Sequence, residues 1–214
     1  VHRYFVKTNW IVRKLFPRYI WRLPKGSRTI YLTFDDGPHP EATPFVLDLL
    51  QQYGAKATFF CTGNNAEAYP ELIARIRAEG HSIGNHTYDH PNGWDTEEEA
   101  YLENVARAAQ LLPGRLFRPP YGRIRAGQAR RLAEAMGVAQ PRIIMWDVLS
   151  CDFDTGLTPE QCLCFVNRNY EDGSIVVFHD SAKALPRLRY ALSGAIRKMA
   201  EEGFRFDRIV EERL

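Results

Sequence analysis

The sequence predicts an α/β fold built on a parallel sheet, open or closed, from three observations. Strand-like and helix-like segments alternate through the 214 residues, the pattern of parallel strands joined by helical crossovers. The run Ser174–Phe178 (SIVVF) is continuously apolar, as expected of a strand covered on both faces. Ionisable residues recur just beyond the carboxyl ends of the strand-like segments, the face where catalytic groups gather in a parallel α/β barrel.

The elements follow in order. Thr29–Phe34 (TIYLTF) is β-branched and aromatic and reads as a strand. Thr43-Pro44 has the form of a helix N-cap and first turn, Phe45, Val46, Leu49, Leu50 and Tyr53 follow at helical spacing, and Gly54 stops the helix. Ala55–Cys61 is a second strand, Pro70 opens a helix that Gly80 ends, and His81–His86 is a short third strand. Thr96 and Glu99 have the spacing of a capping box for a helix reaching Leu112. Leu116–Pro120 is extended, Ala126–Met136 helical and Arg142–Trp146 a strand. Thr158-Pro159-Glu160-Gln161 repeats the cap pattern, and the last helix puts Leu188, Leu192, Ile196 and Met199 on one stripe. No glycine-rich phosphate-binding motif follows any strand, which removes dinucleotide and P-loop readings.

Hydrophobic residues make up 45% and charged residues 25% of the chain, enough to bury a sizeable core. A formal net charge of +2 gives no broad electrostatic reason to expect nucleic acid as a partner. No run is long and apolar enough for a transmembrane helix, and no secretory signal is recognised, so a cytoplasmic location is the expectation. The basic, aromatic stretch Phe5–Phe16 (FVKTNWIVRKLF) reads as a helix packed on the outside of the domain, with a membrane-surface helix as the alternative. Cys61, Cys151, Cys162 and Cys164 form no CxxC and read as buried or partly buried free thiols.

The polar pattern carries the function. Asp35 and Asp36 end the first strand, His86 and His90 follow the third, Arg118 and Tyr121 end the next, Asp152 follows Arg142–Trp146, and His179 ends the apolar run. Adjacent strand residues point to opposite sides, so Asp35 and Asp36 need not share a role. His86 and His90 are four apart, which a helical turn would set side by side. With one carboxylate they make a two-His, one-Asp set that leaves a position open for water or substrate.

The motifs TFDDGP (Thr33–Pro38), HTYDH (His86–His90), RPPYG (Arg118–Gly122), DF (Asp152-Phe153) and VVFHD (Val176–Asp180) occur in that order. From about Thr29 onward the chain resembles the polysaccharide deacetylases that share the NodB homology domain, carbohydrate esterase family 4. The resemblance implies a distorted, incomplete parallel (β/α) barrel of seven or eight strands at residues 29–214, with residues 1–28 an extension packed on it. It implies a hydrolase that removes N-acetyl groups from a sugar or polysaccharide and releases acetate. Asp36, His86 and His90 would hold a divalent metal, zinc or alternatively cobalt. Asp35 would be the general base, paired with and oriented by Arg118, and the backbone N–H of Tyr121 would help hold the oxyanion. His179 would be the general acid, its tautomer set by Asp152. Phe153 stands where relatives often carry Trp and Val176 where they often carry Leu, both expected to keep an apolar wall beside the acetyl group. Leu149 stands where a polar residue is frequent.

Two further readings compete: a non-catalytic carbohydrate-binding relative, and a two-His, one-carboxylate non-haem iron enzyme. His81 and His39 read as structural or solvated. Asp89 and Asp180 are candidate hydrogen-bond partners of the site. Trp94, Trp146 and Tyr88 are candidates for a sugar-stacking wall, with Trp146 favoured as core. Family members often work outside the cytoplasm. The glycan and the oligomeric state are not legible in the residues.

Overall fold

The computed structural model describes residues 5–211. Seven parallel strands form one curled sheet: β1 (Thr29–Asp35), β2 (Thr58–Cys61), β3 (Ser82–Asn85), β4 (Leu116–Phe117), β5 (Arg142–Ile143), β6 (Val148–Leu149) and β7 (Ile175–His179). Their spatial order is β5-β4-β3-β2-β1-β7-β6, and the short β8 (Arg205–Phe206) pairs with the start of β1. The helices are α1 (Trp10–Leu15), α2 (Ala42–Gln52), α3 (Gly63–Ala68), α4 (Pro70–Ala78), α5 (Glu98–Leu111), α6 (Ala126–Met136), α7 (Pro159–Asn167) and α8 (Leu185–Glu201). The structure is the incomplete barrel that the motifs imply.

Strand alternation sorts the side chains into an outer and an inner set. Ile30, Leu32 and Phe34 of β1 join Val176 and Phe178 of β7 in a cluster with Val46 and Leu50 of α2 and Leu192 and Ile196 of α8. Tyr31 and Ile175 pack instead with Phe60, Leu116 and Ile144 inside the curl. Gly84 is required there: a Cβ at that position would lie 2.5 Å from the Phe60 ring.

The barrel does not close between β5 and β6, which are its two edges. The N-terminal segment fills that gap. Val6 O accepts from Leu149 N at 2.9 Å and Thr8 N donates to Asp147 O at 2.9 Å; Ile20 N donates to Ile143 O and its carbonyl accepts from Met145 N at 2.8 Å. Lys7 Nζ and Arg13 Nη2 each reach the buried Asp147 carboxylate at 2.7 Å, and Ser174 Oγ donates to it at 2.6 Å.

Several sequence expectations change. Thr43 lies inside α2 and caps nothing; His39 Nδ1 accepts from Glu41 N and Ala42 N instead. The Thr96–Glu99 capping box does not form: Glu97 is the N-cap of α5, and Thr96 Oγ1 donates to Asn92 O. The Thr158–Gln161 box does form. The four cysteines are free, and Cys61, Cys151 and Cys162 are buried. α1 lies on the outside of the domain with none of its residues fully buried, and Arg13 on its inner side reaches Asp147. No helix among the described residues is long and apolar enough to cross a membrane.

Candidate active site

The inner face of the sheet ends in a pair of titratable groups. β1 and β7 run in register with Asp35 opposite His179, two residues beyond Thr33 opposite Val177. Alternation that sends Phe34 and Phe178 outward therefore brings Asp35 and His179 together at the carboxyl end. Arg118 crosses beneath them, fully buried, and donates from Nη1 to Asp35 Oδ1 at 2.7 Å and to Thr33 Oγ1 at 2.8 Å. Its Nε donates to Ile144 O at 3.0 Å and its Nη2 to Met145 O at 2.9 Å, with the guanidinium 4.1 Å from the Phe60 ring centroid. A buried charge needs such a set of partners to offset its desolvation. Burial pulls the Arg118 pKa down, and Asp35 opposes that.

Asp152 holds His179 with both oxygens: Oδ1 meets Nδ1 at 2.7 Å and Oδ2 accepts from the backbone N–H at 3.0 Å. Burial disfavours the imidazolium, yet the Asp152 charge and hydrogen bond, with Asp36 and Asp35 adding, raise His179 to about 9. Phe153 stands edge-on to the His179 ring at 4.9 Å.

Asp36, His86 and His90 converge beside this pair, with ligand atoms all within 4.8 Å of one another. Asp36 Oδ1 lies 3.2 Å from His90 Nε2 and 3.6 Å from His86 Nε2. Ligands about 2.0–2.1 Å from a tetrahedral ion stand about 3.3 Å apart, so these separations suit a shared cation. His86 Nδ1 meets Arg118 O at 2.7 Å, which puts the proton on Nδ1 and leaves the Nε2 lone pair free for a metal. Asp36 Oδ1 is buried and makes no hydrogen bond. Burial works against the Asp36 carboxylate, but the two histidines, with His179 behind them, hold it well below the usual range.

The histidine pair is not on a helical turn as its spacing suggested. It lies in the loop after β3, where left-handed Thr87 (φ 66°) and His90 (φ 60°) fold the rings to 5.0 Å. Asp36 (φ 76°), Tyr121 (φ 58°) and Cys151 (φ 59°) are also left-handed. Such strain in non-glycine residues persists where the surroundings over-determine it, and these five stand at the carboxyl end of the sheet, while Arg28 and Gln140 are left-handed at the other end.

The turn after Asp36 rests on Asp180. Gly37 N donates to Asp180 Oδ1 at 3.2 Å, Thr43 Oγ1 donates to Oδ2 at 2.5 Å, and a Cβ on Gly37 would collide with that carboxyl. Burial pushes the Asp180 carboxyl up to about 8, opposed by Thr43 and reinforced by Asp36 and Asp35. Asp89, by contrast, is exposed and accepts from Asn104 at its rim. His81 is structural: its Nδ1 accepts from Ala57 N, and burial lowers it to about 4.

Tyr121 is exposed, its ring 4.6 Å from that of His90. Trp94 is exposed with Arg123 against its ring. Trp146 is half-buried among three apolar clusters, and Tyr88 is buried between Glu67 and Arg107, away from a wall role. Val176 faces the helices, so the apolar residues grouped with Phe153 are Leu149 and Val177. Two contacts escaped the sequence reading. Asn65 Nδ2 donates to Asp36 O at 2.7 Å, and buried Arg187 donates from Nε to Asp152 O at 2.6 Å. A charged residue beside the apolar stripe at Leu188 was the available signal for Arg187.

A family model described as polysaccharide deacetylase matches residues 22–141, more than half of the chain. The chain belongs to the polysaccharide deacetylase family. By class it is a carbohydrate deacetylase, a hydrolase of the amide bond in N-acetylated sugars. This deacetylase is 34% identical over 203 residues to a peptidoglycan-N-acetylglucosamine deacetylase of Bacillus cereus, covering 89% of this chain and 91% of that one. A second B. cereus protein of the same description is 36% identical over 169 residues, 76% of this chain, and the deacetylase spans only 60% of its length. A chitooligosaccharide deacetylase of Azorhizobium caulinodans is 35% identical over 166 residues, 74% of this chain and 77% of that relative. Among solved structures, a peptidoglycan N-acetylglucosamine deacetylase bound to 4-naphthalen-1-yl-N-oxidanyl-benzamide superposes with a TM-score of 0.83 at 32% identity, covering 94% and 95% of the two chains. A family 4 pseudoenzyme of Bacillus anthracis reaches a TM-score of 0.76 at 25% identity, covering 89% of this chain and 66% of that one. The family depends in general on a divalent metal, and among the described residues Asp36, His86 and His90 are the groups that fit one.

Proposed function

We propose that this deacetylase removes the acetyl group from N-acetylglucosamine units of a glycan chain, using zinc held by Asp36, His86 and His90. The observation that carries the reading is the pairing across one ladder of a carboxylate backed by Arg118 and an imidazole backed by Asp152, both beside the three ligand groups. A metal there would supply a Lewis acid for the acetamide carbonyl and acidify a water. Asp35, accepting from Arg118 on Oδ1, keeps its other oxygen to take the proton of the attacking water. The backbone N–H of Tyr121 is the candidate partner for the oxyanion. His179, with Nδ1 committed to Asp152, presents Nε2 as the acid that protonates the departing amine. The glycan assignment draws on the relatives, which are described as acting on peptidoglycan N-acetylglucosamine and chitooligosaccharides.

Acetate release by zinc-loaded protein across N-acetylated glycans, with Asp35→Asn as control, tests this. The expected result is release that the control abolishes while its zinc content stays near wild type. Unchanged release from Asp35→Asn removes that residue from the base role. The pseudoenzyme among the structural neighbours makes a binding-only reading concrete, but every proposed acid, base and ligand group is present here. The iron-oxygenase reading is disfavoured by the backed acid and base, and the metal retained on purification discriminates it.

A further inference from the structure

The segment before β1 is charged and apolar in an unusual arrangement. Eight lysines and arginines precede Asp35, the first acidic residue, although the whole chain carries a formal charge of only +2. Within it, α1 is turned with its apolar side to solvent. At about 100° per residue, Trp10, Lys14, Ile11 and Leu15 share one face spanning about 140°. Trp10 is 62%, Ile11 48% and Leu15 68% exposed, and Phe16, just after the helix, is 48% exposed. The domain side of the helix holds Val12 and Arg13 instead, with Arg13 committed to Asp147. Solitary exposed apolar residues are ordinary, but four large ones on a helix and its cap mark an interaction surface.

Charge identifies the occupant. Lys7 is spent on Asp147 and Glu171, Arg13 on Asp147, and Arg22 and Lys25 on Glu171. Lys14, its Nζ 4.8 Å from the Trp10 ring, and Arg18 have no carboxylate partner among the described residues. Aromatic and aliphatic side chains flanked by unpaired cations are what an interfacial helix presents to an anionic bilayer. The strap that holds the helix is fixed by backbone pairing to β5 and β6, so the patch is presented by a rigid body. We propose that α1 and Phe16 dock this protein on an anionic lipid surface, with Trp10, Ile11, Leu15 and Phe16 entering the headgroup boundary and Lys14 and Arg18 pairing with lipid phosphates.

The test is co-sedimentation of the full chain with vesicles of phosphatidylcholine alone and of phosphatidylcholine doped with phosphatidylglycerol. Wild type should sediment with the anionic vesicles only. Trp10→Ser with Leu15→Ser should weaken that partition about tenfold or more, and Lys14→Glu with Arg18→Glu should weaken it to a similar extent. Both variants should keep the wild-type melting temperature, which separates loss of docking from loss of fold. Three results would each overturn the proposal. One is failure of wild type to sediment with anionic vesicles; another is equal sedimentation with neutral ones. The third is a wild-type dimer in analytical ultracentrifugation that the Trp10/Leu15 variant turns into a monomer, with no vesicle binding by either, which assigns the face to a second copy of the chain.

Discussion

Each site residue does its work through a named partner, and the partners set what substitution should do. His179 has a raised pKa because Asp152 outweighs the cost of burial, with Asp36 and Asp35 assisting. A bound cation would oppose the Asp36 contribution, so the alkaline limb of turnover should fall at or below about 9. Raised above its ordinary 6.5, the group contributes stability that is complete below 6.5 and lost as pH rises through about 9. Asp152→Asn should move the alkaline limb to lower pH, and a pH–rate profile with an unmoved limb would remove Asp152 from that role. Arg118→Met would leave Asp35 buried without its cation, at a cost of about 3–5 kcal/mol in denaturant unfolding. The residues that carry these effects were legible in the sequence because they sit where a strand pattern stops and an ionisable group begins. Asn65, which supports the Asp36 carbonyl, was not: an asparagine in a polar stretch has no periodicity to expose it, and the short helix that presents it is six residues long.

At the scale of elements, long periodic segments were read correctly, β4 and β5 fell within segments read as extended, and β6 and β8 were missed. The α6 boundaries Ala126–Met136 match the sequence reading, and the stripe at Leu188, Leu192, Ile196 and Met199 is wholly buried in α8. β6 and β8 are two residues each, too short to hold a pattern, and exist because a neighbouring strand supplies their hydrogen bonds. Thr96 failed as a cap because the helix begins one residue later, with Glu97 at the N-cap and the Thr96 hydroxyl turned back to donate to Asn92 O. Packing between elements also sets which glycines are obligatory. Gly84→Ala should cost about 1–3 kcal/mol by driving a methyl group into the Phe60 ring. Phe60→Leu in the same chain should recover part of that loss; chemical denaturation of the three variants checks it, and an unaffected single variant would mean the ring has room to move.

For the molecule as a whole, the barrel is completed by chain from its own N-terminal segment. Val6 and Thr8 pair with one edge and Ile20 with the other, while Asp147 ties Lys7 and Arg13 between them. Asp147→Ala should leave Arg13 without its carboxylate and Lys7 with only that of Glu171, and loosen the strap, read as faster amide hydrogen exchange at Thr8, Ile20 and Leu149 than in wild type. Exchange rates equal to wild type would show that backbone pairing alone holds the segment. The ladder that aligns Asp35 with His179 has another consequence. Asp35 and His179, the proposed base and acid, hang from neighbouring strands about 4.8 Å apart, a spacing set by the backbone of the sheet. A change in a loop outside that ladder, such as the one bearing Trp94, leaves the distance between the two groups to the sheet, as the span of a bridge is left to its piers when the roadway is relaid.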